Sequence, residues 1–114
     1  MNDITHYIEK LIEATRFNKI LWLKLRENIF VWQTETSENI RTNIILHKRK
    51  STNKDIDILF RLFEVETKKI LLDIDTSNTN EKNKKAIYNL FEVVENFSVN
   101  NELNILDDLT KKIK

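Results

Sequence analysis

The chain contains no glycine and no proline among its 114 residues. These residues most often interrupt helices and shape tight turns, so their absence favours long helices. The stretch 28–50, NIFVWQTETSENIRTNIILHKRK, is nevertheless rich in the β-branched and aromatic residues that are typical of strands. Asparagine adopts the left-handed backbone conformation more readily than most non-glycine residues. We therefore predict turns of three or four residues that contain Asn18, Asn28, Asn39 and Asn53.

The N-terminal segment has the apolar spacing of an amphipathic helix. Within residues 3–16, apolar side chains recur every three or four positions, which places them on one helical face. They are Ile4, Tyr7, Ile8, Leu11 and Ile12. The spacing predicts a helix over 3–16 that packs this face against the rest of the chain.

The middle of the chain, residues 19–75, has a different pattern. Short apolar runs are separated there by polar connectors, and several runs alternate as a half-buried strand does. The runs are 19–25, 29–35, 40–48, 57–65 and 70–75. Residues 56–70 also fit a helical period, but the runs are too short and too often interrupted for helices. We predict an antiparallel meander of four or five strands, with a hairpin that turns at residues 37–39.

The helical period returns after the polar linker 76–80. It predicts two C-terminal helices, 81–97 and 102–112, that pack on the sheet. Leu90, Phe91 and Val94 in the first should face the strand residues Ile70, Leu72 and Ile74, and Leu103, Leu106, Leu109 and Ile113 form the apolar stripe of the second. Segregated helices and strands indicate an α+β fold, and the length fits one domain, 1–114.

Composition narrows the classes of function. Without cysteine there is no disulfide framework, thiol nucleophile or cysteine-based zinc site. Without glycine there is no phosphate-binding loop and no GxSxG motif. His6 and His47 lack metal-ligand spacing, and Asp73 and Asp75 are either paired carboxylates or, as we favour, the solvated side of a strand. We expect no enzyme activity, no metal and no cofactor.

The N-terminus lacks a secretory signal pattern, and no apolar run approaches about 18 residues. We therefore expect a soluble, cytoplasmic protein that does not cross a membrane.

Positive charge is concentrated in the middle of the chain. Residues 41–69 hold eight basic and four acidic side chains, although the whole chain has a net charge of only +1. The densest basic run is His47, Lys48, Arg49 and Lys50, with Lys54 and Arg61 nearby. Such clusters bind phosphates, but charges at strand ends also protect sheet edges. Arg61 interrupts an apolar strand, so it needs an exposed position or a carboxylate partner.

Residues 58–65, ILFRLFEV, are apolar on both alternating sides of the predicted strand. A sheet covered by helices on one face should have one polar face. A second apolar face indicates either a second covering layer or a surface used for association. We predict that Trp22 and Trp32 belong to the core, with Trp32 at an interface as the alternative.

Three segments within residues 8–97 share a pattern: LIEAT…NKILWLKLRENIFVW, LFRLFEVETKKILLDID and LFEVVEN. With these segments the chain resembles a small α+β domain met in bacterial and phage genomes. The resemblance implies a leading helix, an I-x-W strand, a meander, a closing helix and a mobile-element setting, and it implies no catalytic residues. Asn18 stands where members usually have glycine.

These features predict a non-enzymatic module that binds a protein partner, or a second copy of itself, by steric docking. The predicted contact residues are Trp32, His47, Lys48, Arg49, Lys50 and Arg61. An inhibitor of host defence of the anti-CRISPR kind fits this description, as does an immunity protein or antitoxin. The alternative is a nucleic-acid-binding accessory protein that uses the basic segment 47–54.

Overall fold

The structure, a computed structural model, describes residues 3–50 and 55–113, with the side chains of 98–105 and 108 left undescribed. Its elements are α1 (Thr5–Arg16), β1 (Leu23–Arg26), β2 (Ile29–Glu35), β3 (Arg41–Lys50), β4 (Ile56–Glu64), β5 (Ile70–Asp75), a 3-10 turn (Thr76–Asn78) and α2 (Glu81–Lys111). The predicted α+β fold is confirmed: an N-terminal helix, five antiparallel strands and a helical C-terminal region.

The sheet is a meander in which each strand pairs with the next along the chain. The central hairpin runs from the pair Ile29 and His47 to the pair Glu35 and Arg41, so its turn includes the predicted residues 37–39. β1 is shorter than the predicted run 19–25. Ile20 and Trp22 from that run are buried in the core, in the connection that leads from α1 into the sheet.

Asparagines occupy the left-handed positions, as predicted. Asn18, Asn28 and Asn39 have φ angles of 57°, 66° and 65°, and Asn53 lies outside the described residues. Lys68 is a fourth such position, with φ 59°, which the sequence pattern did not indicate. A side chain with a Cβ costs roughly 1–2 kcal/mol in this conformation, so the turn after β4 carries some backbone strain.

One face of the sheet, which we call the helix face, is covered by α1 and α2. The residues Phe30, Leu46, Phe60 and Ile74 lie side by side across β2 to β5 on this face, and all four are buried in one cluster with both helices. The helices contribute Ile8 from α1 and Ile87, Leu90, Phe91 and Val94 from α2. The rings of Phe30 and Phe91 meet edge to face at 5.5 Å, which fixes how α2 sits on β2.

The prediction that the apolar side of α2 and the β5 residues share one side of the sheet is confirmed for Ile74, which belongs to the core cluster with Leu90, Phe91 and Val94, and for Leu72, which packs against that cluster. It is wrong for Ile70, which is 45 % exposed. The reason is an irregularity in strand pairing: Leu62 pairs with Leu72, but the next residue, Phe63, pairs with Ile70. This shift removes Ile70 from the alternation that buries Leu72 and Ile74.

The two helices are tied together by a buried asparagine. The Asn83 Oδ1 atom accepts a hydrogen bond from the Ile4 backbone N–H at 3.1 Å and another from the Thr5 hydroxyl at 3.2 Å. At the other end of α1, the Trp22 Nε1–H donates to the Thr15 hydroxyl at 3.0 Å. The N-terminal end of α1 is therefore bonded to a side chain of α2, and its C-terminal end is bonded to a side chain in the connection that leads to β1.

The segments predicted as two C-terminal helices, 81–97 and 102–112, both lie in α2, which is continuous. Nothing between them is a glycine or proline that would end a helix. Leu106, Leu109 and Ile113 are 56 %, 53 % and 77 % exposed, and the side chain of Leu103 is outside the described set. Among the α2 residues whose side chains are described, those that belong to the core cluster lie in its first half.

Candidate partner-binding surface

The sheet has a second face, which we call the open face, on the side away from the helices. Side chains alternate between the two faces along a strand. Residues that are next in sequence to those of the helix face therefore point to the open face. One row across the sheet consists of Leu23, Val31, Ile45, Arg61 and Asp73. The row beside it consists of Ile29, His47, Leu59 and Asp75. Each row is apolar on β2 and ends in a carboxylate on β5.

The centre of the open face is apolar. Val31 is only 2 % exposed, because Leu23 and Ile45 flank it from the neighbouring strands. Ile29, Ile45 and Leu59 are half-buried, and Phe63 on β4 is half-buried as well. An apolar patch on a sheet face without a helical layer is the kind of surface that proteins use for association.

Two ion pairs border this apolar centre on the β5 side. The Arg61 Nη2 atom lies 3.1 Å from the Asp73 carboxylate, directly across the β4–β5 ladder. Arg49 pairs with Asp75, whose carboxylate also accepts hydrogen bonds from the Ser77 backbone N–H and hydroxyl. Each carboxylate is thus engaged by a separate arginine. This arrangement favours the interpretation of Asp73 and Asp75 as the polar side of β5 over a carboxylate pair that shares a proton.

His47 lies between the apolar centre and the arginines. It pairs with Ile29 on one side and Leu59 on the other. Burial lowers the pKa of the His47 imidazole, and the positive charge of Arg49 lowers it further. The side chain is therefore neutral at pH 7 and adds no charge to the basic segment.

The predicted contact residues divide between the two faces. His47, Arg49 and Arg61 lie on the open face, whereas Trp32 and Lys48 lie on the helix face. The Trp32 ring is 6.3 Å from that of Trp22 and packs against the core, as predicted for both tryptophans. The Lys48 Nζ atom lies 5.5 Å from the centre of the Phe91 ring, which is a cation–π contact.

Lys50 follows the same alternation as Lys48 and is exposed at the end of β3. Lys54 lies outside the described residues. Basic residues that are consecutive in sequence therefore point alternately to the two faces of the sheet, because they lie on a strand. Arg61 has both features that the sequence required of it: it is partly exposed and it pairs with a carboxylate.

The apolar residues of the open face on β2 and β3 were missed from the sequence. In IFVWQTE, Ile29 and Val31 alternate with Phe30 and Trp32, so both sides of the strand are apolar. The same signal was used for residues 58–65 but not for β2. Applied to every strand, it would have indicated Ile29 and Val31.

Two concave regions lie on the helix side of the molecule. A cleft of about 860 Å³ runs between α1 and α2, and its apolar lining includes Ile12, Phe17, Val93 and Phe97. A groove of about 720 Å³ runs between α1 and the sheet and is largely apolar. It is lined by Asp3, Ile4, Tyr7, Lys10, Leu11, Ile44, Phe60, Leu62 and Leu72.

Within residues 3–50 and 55–113, no three His, Asp or Glu side chains converge as metal ligands would. No helix in the described part of the chain combines the length and the apolar character needed to cross a membrane. Comparisons of the chain with protein-family models, with curated proteins and with solved structures find no significant match.

Proposed function

We propose that this chain is a non-enzymatic protein-binding module whose interface is the open face of the sheet. The observation that carries the proposal is the apolar centre of this face, where the half-buried Ile29, Ile45 and Leu59 keep apolar area in contact with solvent on the side away from both helices. A polar sheet face would be expected there if water were its only neighbour. A partner that covers this centre removes apolar area from water, which is the main favourable term in association.

The ion pairs supply the polar rim of such an interface. Arg61 with Asp73 and Arg49 with Asp75 are partly exposed, so they contribute little to stability, typically about 1 kcal/mol or less. Their position beside the apolar centre supports a role in orienting a partner, since rim charges affect specificity and association rate more than affinity. Blocking or bridging a larger protein requires no further chemistry from the chain.

The likeness to bacterial and phage domains supports a mobile-element setting for this activity. A steric inhibitor of host defence of the anti-CRISPR kind, or an immunity or antitoxin protein, has the same requirement: a small rigid surface that covers a functional part of its target. We propose this class as the protein's role.

The nucleic-acid alternative has less support. Arg49 and Arg61 are each paired with an aspartate, and His47 is neutral at pH 7. Lys48 points to the helix face, towards Phe91. A phosphate-binding surface needs several unpaired basic side chains on one side of the sheet. In the described part of this segment, the basic side chains are divided between the two faces.

Matched substitutions on the two faces test the proposal. Ile45→Lys places a charge in the apolar centre of the open face, and Lys50→Glu changes charge on the other side of the same strand. The immobilised wild-type chain and both variants would be used to capture proteins from a bacterial lysate, with quantification by mass spectrometry. We expect Ile45→Lys to lower capture of the proteins enriched by the wild type by more than about tenfold, because central contacts dominate binding. Lys50→Glu should retain capture.

Thermal unfolding of each variant shows whether it is folded. If folded Ile45→Lys captures the same proteins as the wild type, the open face is not the interface. A mobility shift with single-stranded and duplex DNA and RNA tests the alternative. Binding that weakens steeply with salt and is reduced by Lys50→Glu would replace the proposal with a nucleic-acid function.

A further inference from the structure

The cleft between α1 and α2, which we call the helix cleft, is walled by one side of each helix. Its lining extends from Glu9 to Phe17 along α1 and from Asn89 to Phe97 along α2. Within each range the lining residues recur at intervals of three and four positions, so they share one helical face. Residues 9 and 17 are separated by about 12 Å along the helix axis, or roughly two helical turns.

The two helices run side by side in the same direction. The Ile4 backbone N–H, just before α1, donates to Asn83 near the start of α2. Phe17, just after α1, lines the helix cleft together with Phe97. A third helix can lie along a groove of this kind and contact both walls.

Part of the lining is apolar and remains in contact with solvent. Ile12, Val93 and Phe97 are half-buried, and Phe17 is 67 % exposed. Apolar grooves on proteins commonly bind the apolar side of an amphipathic helix. A helix bound here removes this apolar area from water, which favours association.

The charges around the apolar lining are mainly negative. Glu9 and Glu13 on α1 and Glu92 on α2 are exposed, and none of them forms an ion pair with another described residue. Against these three carboxylates, the described lining contains one basic side chain, Arg16. Glu9 and Glu13 are four residues apart on one helix, so they repel each other, and a cation placed between them relieves this repulsion.

We propose that the helix cleft binds a basic amphipathic helix of a partner protein. The apolar side of that helix contacts Ile12, Val93 and Phe97, and its flanking lysines or arginines pair with the glutamates on the two walls. The excess of carboxylates over basic side chains selects a basic partner over an acidic one. The proposal does not rest on the proposed function, because the open face lies on the other side of the sheet.

Fluorescence anisotropy of three labelled synthetic peptides with the full chain tests the proposal. The first peptide has leucines at positions i, i+3, i+4 and i+7 and lysines beside them. The second has glutamates in place of the lysines, and the third has serines in place of the leucines. We expect the first to bind with a dissociation constant on the order of 10–100 μM, because a contact of two helical turns is small. The other two should bind at least about tenfold more weakly.

Two substitutions that change the net charge equally show whether the cleft is the binding site. Glu13→Lys reverses a charge in the cleft, and Glu38→Lys reverses a charge in the exposed turn between β2 and β3. Lysine is favourable in the last turn of a helix and four residues after Glu9, so Glu13→Lys should remain folded. It should raise the dissociation constant of the first peptide by more than about fivefold, and Glu38→Lys by less than about twofold.

Phe17→Ser tests the apolar contribution separately, and it should also weaken binding of the first peptide. Ile45→Lys on the open face should leave that binding unchanged. The proposal is overturned if the first peptide does not bind up to about 1 mM, which corresponds to a very weak complex. Equal weakening by Glu13→Lys and Glu38→Lys overturns it too, because attraction would then depend on net charge alone. Equal binding of the first and third peptides excludes an apolar site, and loss of binding in folded Ile45→Lys places the peptide on the open face.

Discussion

At the scale of single residues, the environment of His47 differs from that of its neighbours in the basic segment. Lys48, Arg49 and Lys50 keep their charged groups near an aromatic ring, a carboxylate or solvent. His47 instead lies between the apolar side chains Ile29 and Leu59. The strand, which turns successive residues to opposite sides, is the reason that four adjacent basic residues have such different surroundings.

This environment predicts a pH dependence of stability. Because the pKa of His47 is lowered in the folded chain, the unfolded chain binds the proton more readily. The contribution of neutral His47 to folding stability is fully present above the pKa of histidine in the unfolded chain, about 6.5. This contribution is lost as pH falls through the lower pKa of His47 in the folded chain. We expect urea melts to show decreasing stability from about pH 7 towards pH 5, with a smaller decrease in His47→Gln.

His6, which is exposed on α1, provides the control. His6→Gln should leave the pH profile as it is in the wild type. If His47→Gln and the wild type lose stability in parallel over this range, another group is responsible for the titration.

The split of the basic segment could be predicted only in part from the sequence. The alternation of a strand separates Lys48 from Arg49 once the strand is recognised, and the residue range 40–48 was recognised. The partners of Arg49 and Arg61 depend on the register of β4 with β5, where Arg61 lies opposite Asp73. That register includes an irregularity at Phe63, which no local pattern indicates.

At the scale of elements, the turn positions with positive φ are occupied by residues that adopt this conformation less readily than glycine. Asn18, Asn28 and Asn39 do so at modest cost, because asparagine is enriched in this conformation. Lys68 has no such advantage, and it follows β4 in the connection to β5. The strands that flank this connection impose the conformation on it.

Substitution of Lys68 by glycine should therefore stabilise the chain. Relief of the left-handed strain outweighs the added freedom of the unfolded chain, so we expect a gain of about 0.5–1 kcal/mol in the free energy of unfolding. Urea denaturation monitored by tryptophan fluorescence measures this gain. Lys69→Gly, at a neighbouring exposed position without positive φ, should give no gain. A loss of stability in Lys68→Gly would show that the turn has a different conformation in solution.

Element boundaries were predicted well where turn residues and apolar alternation coincide, as in β2 and β5. They were predicted less well at Ile20 and Trp22, which are apolar because they are in the core and not because they are in a strand. The continuity of α2 was also missed. Separate helices were predicted over 81–97 and 102–112, although no glycine or proline lies between them and a helix can continue through that stretch.

At the scale of the whole molecule, the fold is a single sheet with one layer of helices. Its extents are 56 × 40 × 24 Å, and the short dimension fits two packed layers. The helix layer is anchored by the first half of α2, where Leu90 and Val94 are fully buried. Leu106 and Leu109 in the second half, and Ile113 just after the helix, are exposed.

This asymmetry predicts the result of truncation. A chain that ends at Phe97 keeps every α2 residue of the described core cluster and loses the exposed Leu106 and Leu109, so we expect its free energy of unfolding to fall by less than about 1 kcal/mol. A chain that ends at Glu92 also loses Val94 and should be destabilised by at least about 2 kcal/mol. Thermal and urea unfolding would compare the two. Equal destabilisation by both truncations would show that the second half of α2 is packed in solution.

The nearest-neighbour order of the strands has a consequence for the rate at which the chain reaches its fold. Each hairpin connects residues close in sequence, and such low contact order is associated with fast folding. The contact between Ile4 and Asn83 spans most of the chain and closes last in this scheme. Because the chain has no proline, refolding should lack the slow isomerisation phase of tens of seconds, and docking of α1 on α2 becomes the slowest event.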